Sequence, residues 1–168
     1  MPKNKENNLK HIWSLLCSGV SIDQKRNNLT LYNIFEQIKV PKNHLATIPT
    51  QSGEKLPAVP LAFNLVSTWR RIESEKKLRA DALIEYTDPS GKIMQKATYP
   101  IEMAEGINRF RGDIQWAGIR VTTSGTYTFR ISLKNKEDKK FVKIAEVYLD
   151  VEILDNEPDA TKSDSKKK

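Results

Sequence analysis

An antiparallel β-sandwich of about eight strands is the fold class this sequence predicts, and three observations carry the prediction. Apolar and polar residues alternate with a period of two in several long runs. The cleanest sets Leu78, Ala80, Ala82, Ile84 and Tyr86 against Lys77, Arg79, Asp81 and Glu85. Turn signals built from Gly, Pro, Asn and Asp separate the runs at short intervals. No convincing amphipathic helical period interrupts them, which leaves an all-β reading.

Residues 1–10 have almost no apolar content and are expected to form a disordered arm, with the sandwich domain over 11–154 and a polar tail over 155–168. The stretch from Ile12 to Val40 reads as a founding hairpin, with a turn at Asp23-Gln24-Lys25-Arg26-Asn27-Asn28. In its first strand Ile12, Leu16, Val20 and Ile22 share one face, and Trp13, Leu15 and Cys17 the other. Its second strand opposes Leu29, Leu31 and Phe35 to Tyr32, Ile34 and Ile38. Apolar residues on both faces of both strands predict a hairpin covered on both sides.

Pro41 to Pro60 holds four prolines and no sustained period, so it is expected to be a long irregular connection. A third strand follows over 61–69, and Arg70 to Lys76 reads as a charged connection to the Leu78–Tyr86 strand. Asp88-Pro89-Ser90-Gly91 makes a tight turn. Pro100, which has no N–H to donate, places the returning strand near a sheet edge. After a turn over 102–107, Phe110, Gly112, Ile114 and Trp116 alternate with Arg109, Arg111, Asp113 and Gln115. Tyr127, Phe129, Ile131 and Leu133 form the inner face of the next strand. Beyond a charged tip at 134–140, the last strand turns Ala145, Val147, Leu149, Val151 and Ile153 inward.

The formal net charge is +7, from 28 basic and 21 acidic residues. The first ten residues contribute +2 and the last fourteen contribute zero, leaving +5 on the body. That is far from the dense basic stripe of a dedicated nucleic-acid binder. A single cysteine, Cys17, excludes an intramolecular disulfide and suits a reducing, cytoplasmic setting. No apolar stretch approaches the ~20 residues of a membrane-spanning helix.

Two resemblances sharpen the fold. Ser124-Gly125-Thr126-Tyr127 resembles the Gly-x-Tyr corner of immunoglobulin-like domains, in which a tyrosine just inside a strand bonds back to the corner backbone; Phe129 stands where antibody domains carry a cysteine. The opening hairpin resembles that of a family of small uncharacterised bacterial β-sandwich proteins. These begin with an apolar strand carrying a cysteine, continue through an Ile-Asp turn, and return as Asn-x-Leu-x-Leu, then Phe or Tyr, then Asn-Ile. Here the matching positions are Cys17, Ile22, Asp23 and Asn28 to Ile34, offset by one residue around Asn28. The resemblance implies a bacterial cytoplasmic sandwich and lends no catalytic residue.

Cys17 is expected to be a buried structural thiol, and His11 and His44 to be solvated, with no compact ligand cluster around either. Asp23 and Asn33 are expected to serve turn geometry. Trp13, Trp69 and Trp116 are expected to pack in the core. Arg79, Arg109, Arg111 and Arg130 project outward, where Asp81, Glu85 and Asp113 are expected to pair with them across strands. No catalytic, cofactor or metal site is expected, which leaves a non-catalytic module that meets a protein partner through 41–60 and 102–107, with His44, Arg79, Arg109 and Arg111 as contact residues. The alternative is an electrostatic binder of nucleic acid or another polyanion; a membrane is not an expected partner.

Overall fold

The computed structural model describes residues 8–49, 53, 55–72 and 77–155. In chain order its strands are β1 (Leu9–Asp23), β2 (Asn28–Ile34), β3 (Gln37–Pro41), β4 (Ala46–Pro49), β5 (Lys55–Val59) and β6 (Phe63–Arg71). They continue with β7 (Leu78–Thr87), β8 (Ile93–Met103), β9 (Arg109–Trp116), β10 (Ile119–Arg120), β11 (Gly125–Asn135) and β12 (Val142–Leu154). A four-stranded sheet in the order β2-β1-β6-β9 faces a five-stranded sheet in the order β3-β12-β11-β7-β8, and β10-β5-β4 form a small third sheet. The all-β sandwich is the observed fold class.

Alternation set the core as expected. Leu16, Phe63, Leu65 and Trp69 from the four-stranded sheet and Ala82, Ile84, Tyr86, Phe129, Ile131 and Leu149 from the five-stranded one are all buried in a single cluster. Burying each large apolar side chain contributes about 1.5–3 kcal/mol. At one end of the core Phe63 stacks on Trp116 and meets the ring of Phe129 edge-on. Tyr86 leans on Phe129 with ring centroids 4.8 Å apart and donates its hydroxyl to the Arg120 carbonyl at 2.9 Å. The corner tyrosine is present as well. Tyr127 donates to the Thr123 carbonyl at 2.9 Å and accepts the Thr122 and Thr123 amides at 2.8 and 3.2 Å.

Four features depart from the sequence expectations. Strand β1 opens at Leu9, two residues before the expected domain start, because Leu9 is buried and pairs with Arg71. The expected second strand divides in two. Asn33 adopts a left-handed conformation, with φ of 47°. The chain then changes sheets within two residues, the Phe35 amide donating to Leu16 of β1 while the Glu36 carbonyl accepts from Asp150 of β12. The resulting β3 runs parallel to β12, so the sandwich is not wholly antiparallel. The expected irregular connection over 41–60 contains a 3-10 turn at Lys42–His44 and the β4–β5 pair. Its prolines fit that pair: Pro49 closes β4, and Pro57 offers its carbonyl to the Val121 amide. The predicted edge strand is at an edge, since β8 ends the five-stranded sheet. Residues 1–7 and 156–168, most of the expected arm and tail, lie outside the described residues.

Candidate functional site: an arginine-rimmed cleft

Strand β1 is long enough to serve two partners. It pairs with β6 from Leu9 to Cys17 and with β2 from Cys17 to Asp23. The β1–β2 arm thus extends past the edge of β6 and returns over the outer face of the sheet. Its tip is held by Arg111 of β9, which donates to the Asn27 side-chain oxygen at 2.9 Å and to the Asn27 carbonyl at 2.8 Å. Local chemistry shapes that tip. Asp23 Oδ1 accepts the Lys25 and Arg26 amides, Asp23 O accepts the Asn27 amide at 2.7 Å, and Asn27 takes a left-handed φ of 55°. Asp23 therefore has the turn role expected of it. Asn33 bonds Ser18 Oγ.

Between arm and sheet lies a cleft of about 360 Å³. Leu29 and Leu31 form its arm wall, Ile12 and Trp13 belong to β1, and Thr68, Arg70, Arg109 and Arg111 complete it from β6 and β9. The pairing register fixes how the cations sit. Lys10 lies opposite Arg70, and Arg70 opposite Arg109, so three cations occupy one cross-strand row, of which Arg70 and Arg109 line the cleft. In the next row on the same face Trp13 lies opposite Thr68 and Thr68 opposite Arg111. A bulge between His11 and Trp13 displaces Ile12, leaving it 44% exposed at the cleft.

The four outward arginines are divided between the two sheets. Arg79 and Arg130 lie on the five-stranded sheet, where they pair with Glu102 at 3.3 Å and Glu146 at 3.5 Å. The acids expected beside them are also engaged, Glu85 with Lys96 and Asp81 with Lys134. On the four-stranded sheet Asp113 is bonded to Asn64 at 2.6 Å. Among the described residues no carboxylate pairs with Lys10, Arg70, Arg109 or Arg111. The cross-strand neutralisation expected for Arg109 and Arg111 is therefore corrected.

Sequence reading missed Arg70 and Lys10, placing the first in a connection and the second in an arm. Carrying the alternation of β6 two residues past Trp69 would have turned Arg70 outward and Arg71 inward. Arg71 is indeed buried, donating to the Met103 and Ala104 carbonyls at 3.0 and 3.1 Å.

His44 is elsewhere. It lines a separate open groove of about 570 Å³ between Ile38–Pro41 and Val59–Leu61. The remaining reactive groups are dispersed. Cys17 is buried, and burial pushes its thiol pKa up. His11 is not solvated as expected: it is half-buried, bonds Ser14 Oγ through Nε2 at 2.8 Å, and meets the Trp69 ring edge-on at 5.1 Å. Burial lowers its pKa. Trp69 Nε1 in turn donates to Ser67 Oγ and the Tyr99 hydroxyl, which bond each other at 2.7 Å. Of the tryptophans, Trp69 and Trp116 are core residues as expected, whereas Trp13 faces the cleft.

No family model matches the chain, and no curated protein matches it. Among solved structures the chain is similar to the crystal structure of the C-terminal domain of wzt, at 11% identity and a TM-score of 0.49, over 96% of this chain and 86% of that chain.

Proposed function

We propose that this domain is a non-catalytic protein-binding module whose recognition surface is the cleft between the β1–β2 arm and the outer face of β6 and β9. The observation that carries this reading is the concave junction of an apolar wall, Trp13, Leu29 and Leu31, with cations that no described carboxylate neutralises. Interfaces draw their energy from a few aromatic and arginine side chains set in such surroundings. The groups best suited to catalysis support a binding role by their placement: the Cys17 thiol, the His11 ring and the His44 ring occupy three separate sites, with burial acting against ionisation of the first two. A cytoplasmic setting and membership of the bacterial sandwich family that the opening hairpin resembles belong to the same proposal.

Selection from a random peptide display library against the full chain tests it. Enriched peptides are expected to bind the wild type and the Arg79→Ala variant alike and to lose binding to Leu31→Glu, which puts a carboxylate in the cleft wall. Peptides indifferent to Leu31→Glu would move recognition away from the cleft. Failure to enrich any peptide, together with tight nucleic-acid binding, would favour the polyanion alternative.

A further inference from the structure

Resting on the binding-module reading, we infer that the cleft is built for an acidic peptide segment, with carboxylates on the Lys10–Arg70–Arg109 row and an aliphatic side chain against Trp13, Leu29 and Leu31. Adjacent strands lie about 4.8 Å apart, and like charges directly opposite each other destabilise a sheet. Three cations at one register position on three adjacent strands, with no described carboxylate paired to any of them, are a standing cost to the free domain that an anionic partner would relieve.

The form of the charge favours peptide over nucleic acid. The row spans three strands, about 10 Å, a short stretch that two or three carboxylates of an extended segment can cover. Beyond it the same face continues through Trp13, Thr68 and Arg111, whose guanidinium is already bonded to Asn27, to Leu15, Val66 and the acidic Asp113, so the cationic track for a phosphate backbone stops within one further row.

Trp13 makes the test direct, because Trp69 and Trp116 are buried in the core while Trp13 lines the cleft. Tryptophan emission of the full chain would be titrated with a blocked peptide alternating glutamate and leucine, its glutamine–leucine counterpart, inorganic phosphate and an oligothymidylate. The glutamate peptide is expected to bind at least about tenfold more tightly than the glutamine peptide, weakening as salt rises. Arg70→Gln and Arg109→Gln are expected to abolish that preference. Arg70→Gln is also expected to melt no lower than the wild type, which separates a lost binding contact from a damaged fold. Equal binding of the two peptides would overturn the acidic specificity and leave the module reading standing. Arginine-dependent binding of oligothymidylate with neither peptide bound would overturn both, and no binding of any probe would overturn this inference.

Discussion

Arg111 and Asn27, 84 residues apart, are joined by two hydrogen bonds, one to the side-chain oxygen of Asn27 and one to its carbonyl. The fork geometry of a guanidinium suits this double contact, which lysine does not reproduce. It fixes the arm over the sheet and so sets the width of the cleft. Arg111→Ala is expected to cost only about 1 kcal/mol in urea denaturation, since the bonds are exposed to solvent. Its larger effect is expected in hydrogen exchange, with amide protection falling between Leu29 and Leu31. Unchanged exchange there would show that the arm holds its place without the latch.

Tyr127→Phe tests the corner. The hydroxyl is bonded to three backbone groups of Thr122 and Thr123. Removing it leaves partly buried groups without that partner, at a cost of about 1–3 kcal/mol in the denaturation midpoint. A midpoint equal to that of the wild type would remove the corner from the account of stability.

Gly112 lies in β9 where a Cβ would stand 2.8 Å from both a Tyr99 ring carbon and its hydroxyl, and 2.9 Å from Ser67 Oγ. Gly112→Ala is expected to push Tyr99 off Ser67 and Trp69 and to destabilise the fold by about 1–3 kcal/mol. Tyr99→Ala in the Gly112→Ala background is expected to cost less than the sum of the two single changes, because the smaller side chain removes the clash. Additive costs would place the strain elsewhere.

Burial lowers the His11 pKa from its ordinary value of 6.5. Between the lowered folded value and the ordinary one, the unfolded chain binds more protons than the folded one. Stability is therefore full above about pH 6.5 and declines as pH falls toward the folded value. His11→Gln is expected to flatten this decline in melting curves taken across that window. His44 is present in both proteins, so the difference reports His11 alone; parallel pH profiles would contradict the burial argument.

The core was legible because period-two alternation survives in β7, β9 and β11, where one face is buried and the other wet. The break of the second hairpin strand was not. Tyr32 and Ile34, read as one face of a covered strand, are each 52% exposed on the edge strand β2. Apolar character alone could not reveal that Asn33 turns the chain into the opposite sheet. In the region 41–60, prolines masked short strands: Pro41 and Pro49 end β3 and β4, while Pro57 sits mid-strand in β5 and pairs through its carbonyl. The cleft was half legible. Arg109 and Arg111 stood out by alternation, but their union with Arg70 and Lys10 is a matter of strand register, set by long-range pairing that local pattern does not encode. Nor could pattern show that Arg79 would lie on the opposite sheet, paired with Glu102.

The central claim is that recognition occurs in the cleft under the β1–β2 arm, and amide chemical-shift mapping with the glutamate–leucine peptide tests it most directly. The account predicts shifts concentrated at Lys10, Trp13, Leu29, Leu31, Thr68, Arg70 and Arg109, diminishing as salt screens the cations over about 8 Å at physiological ionic strength. Shifts centred instead on the groove beside His44 and Leu61, or on the ion-paired face around Arg79 and Arg130, would contradict it.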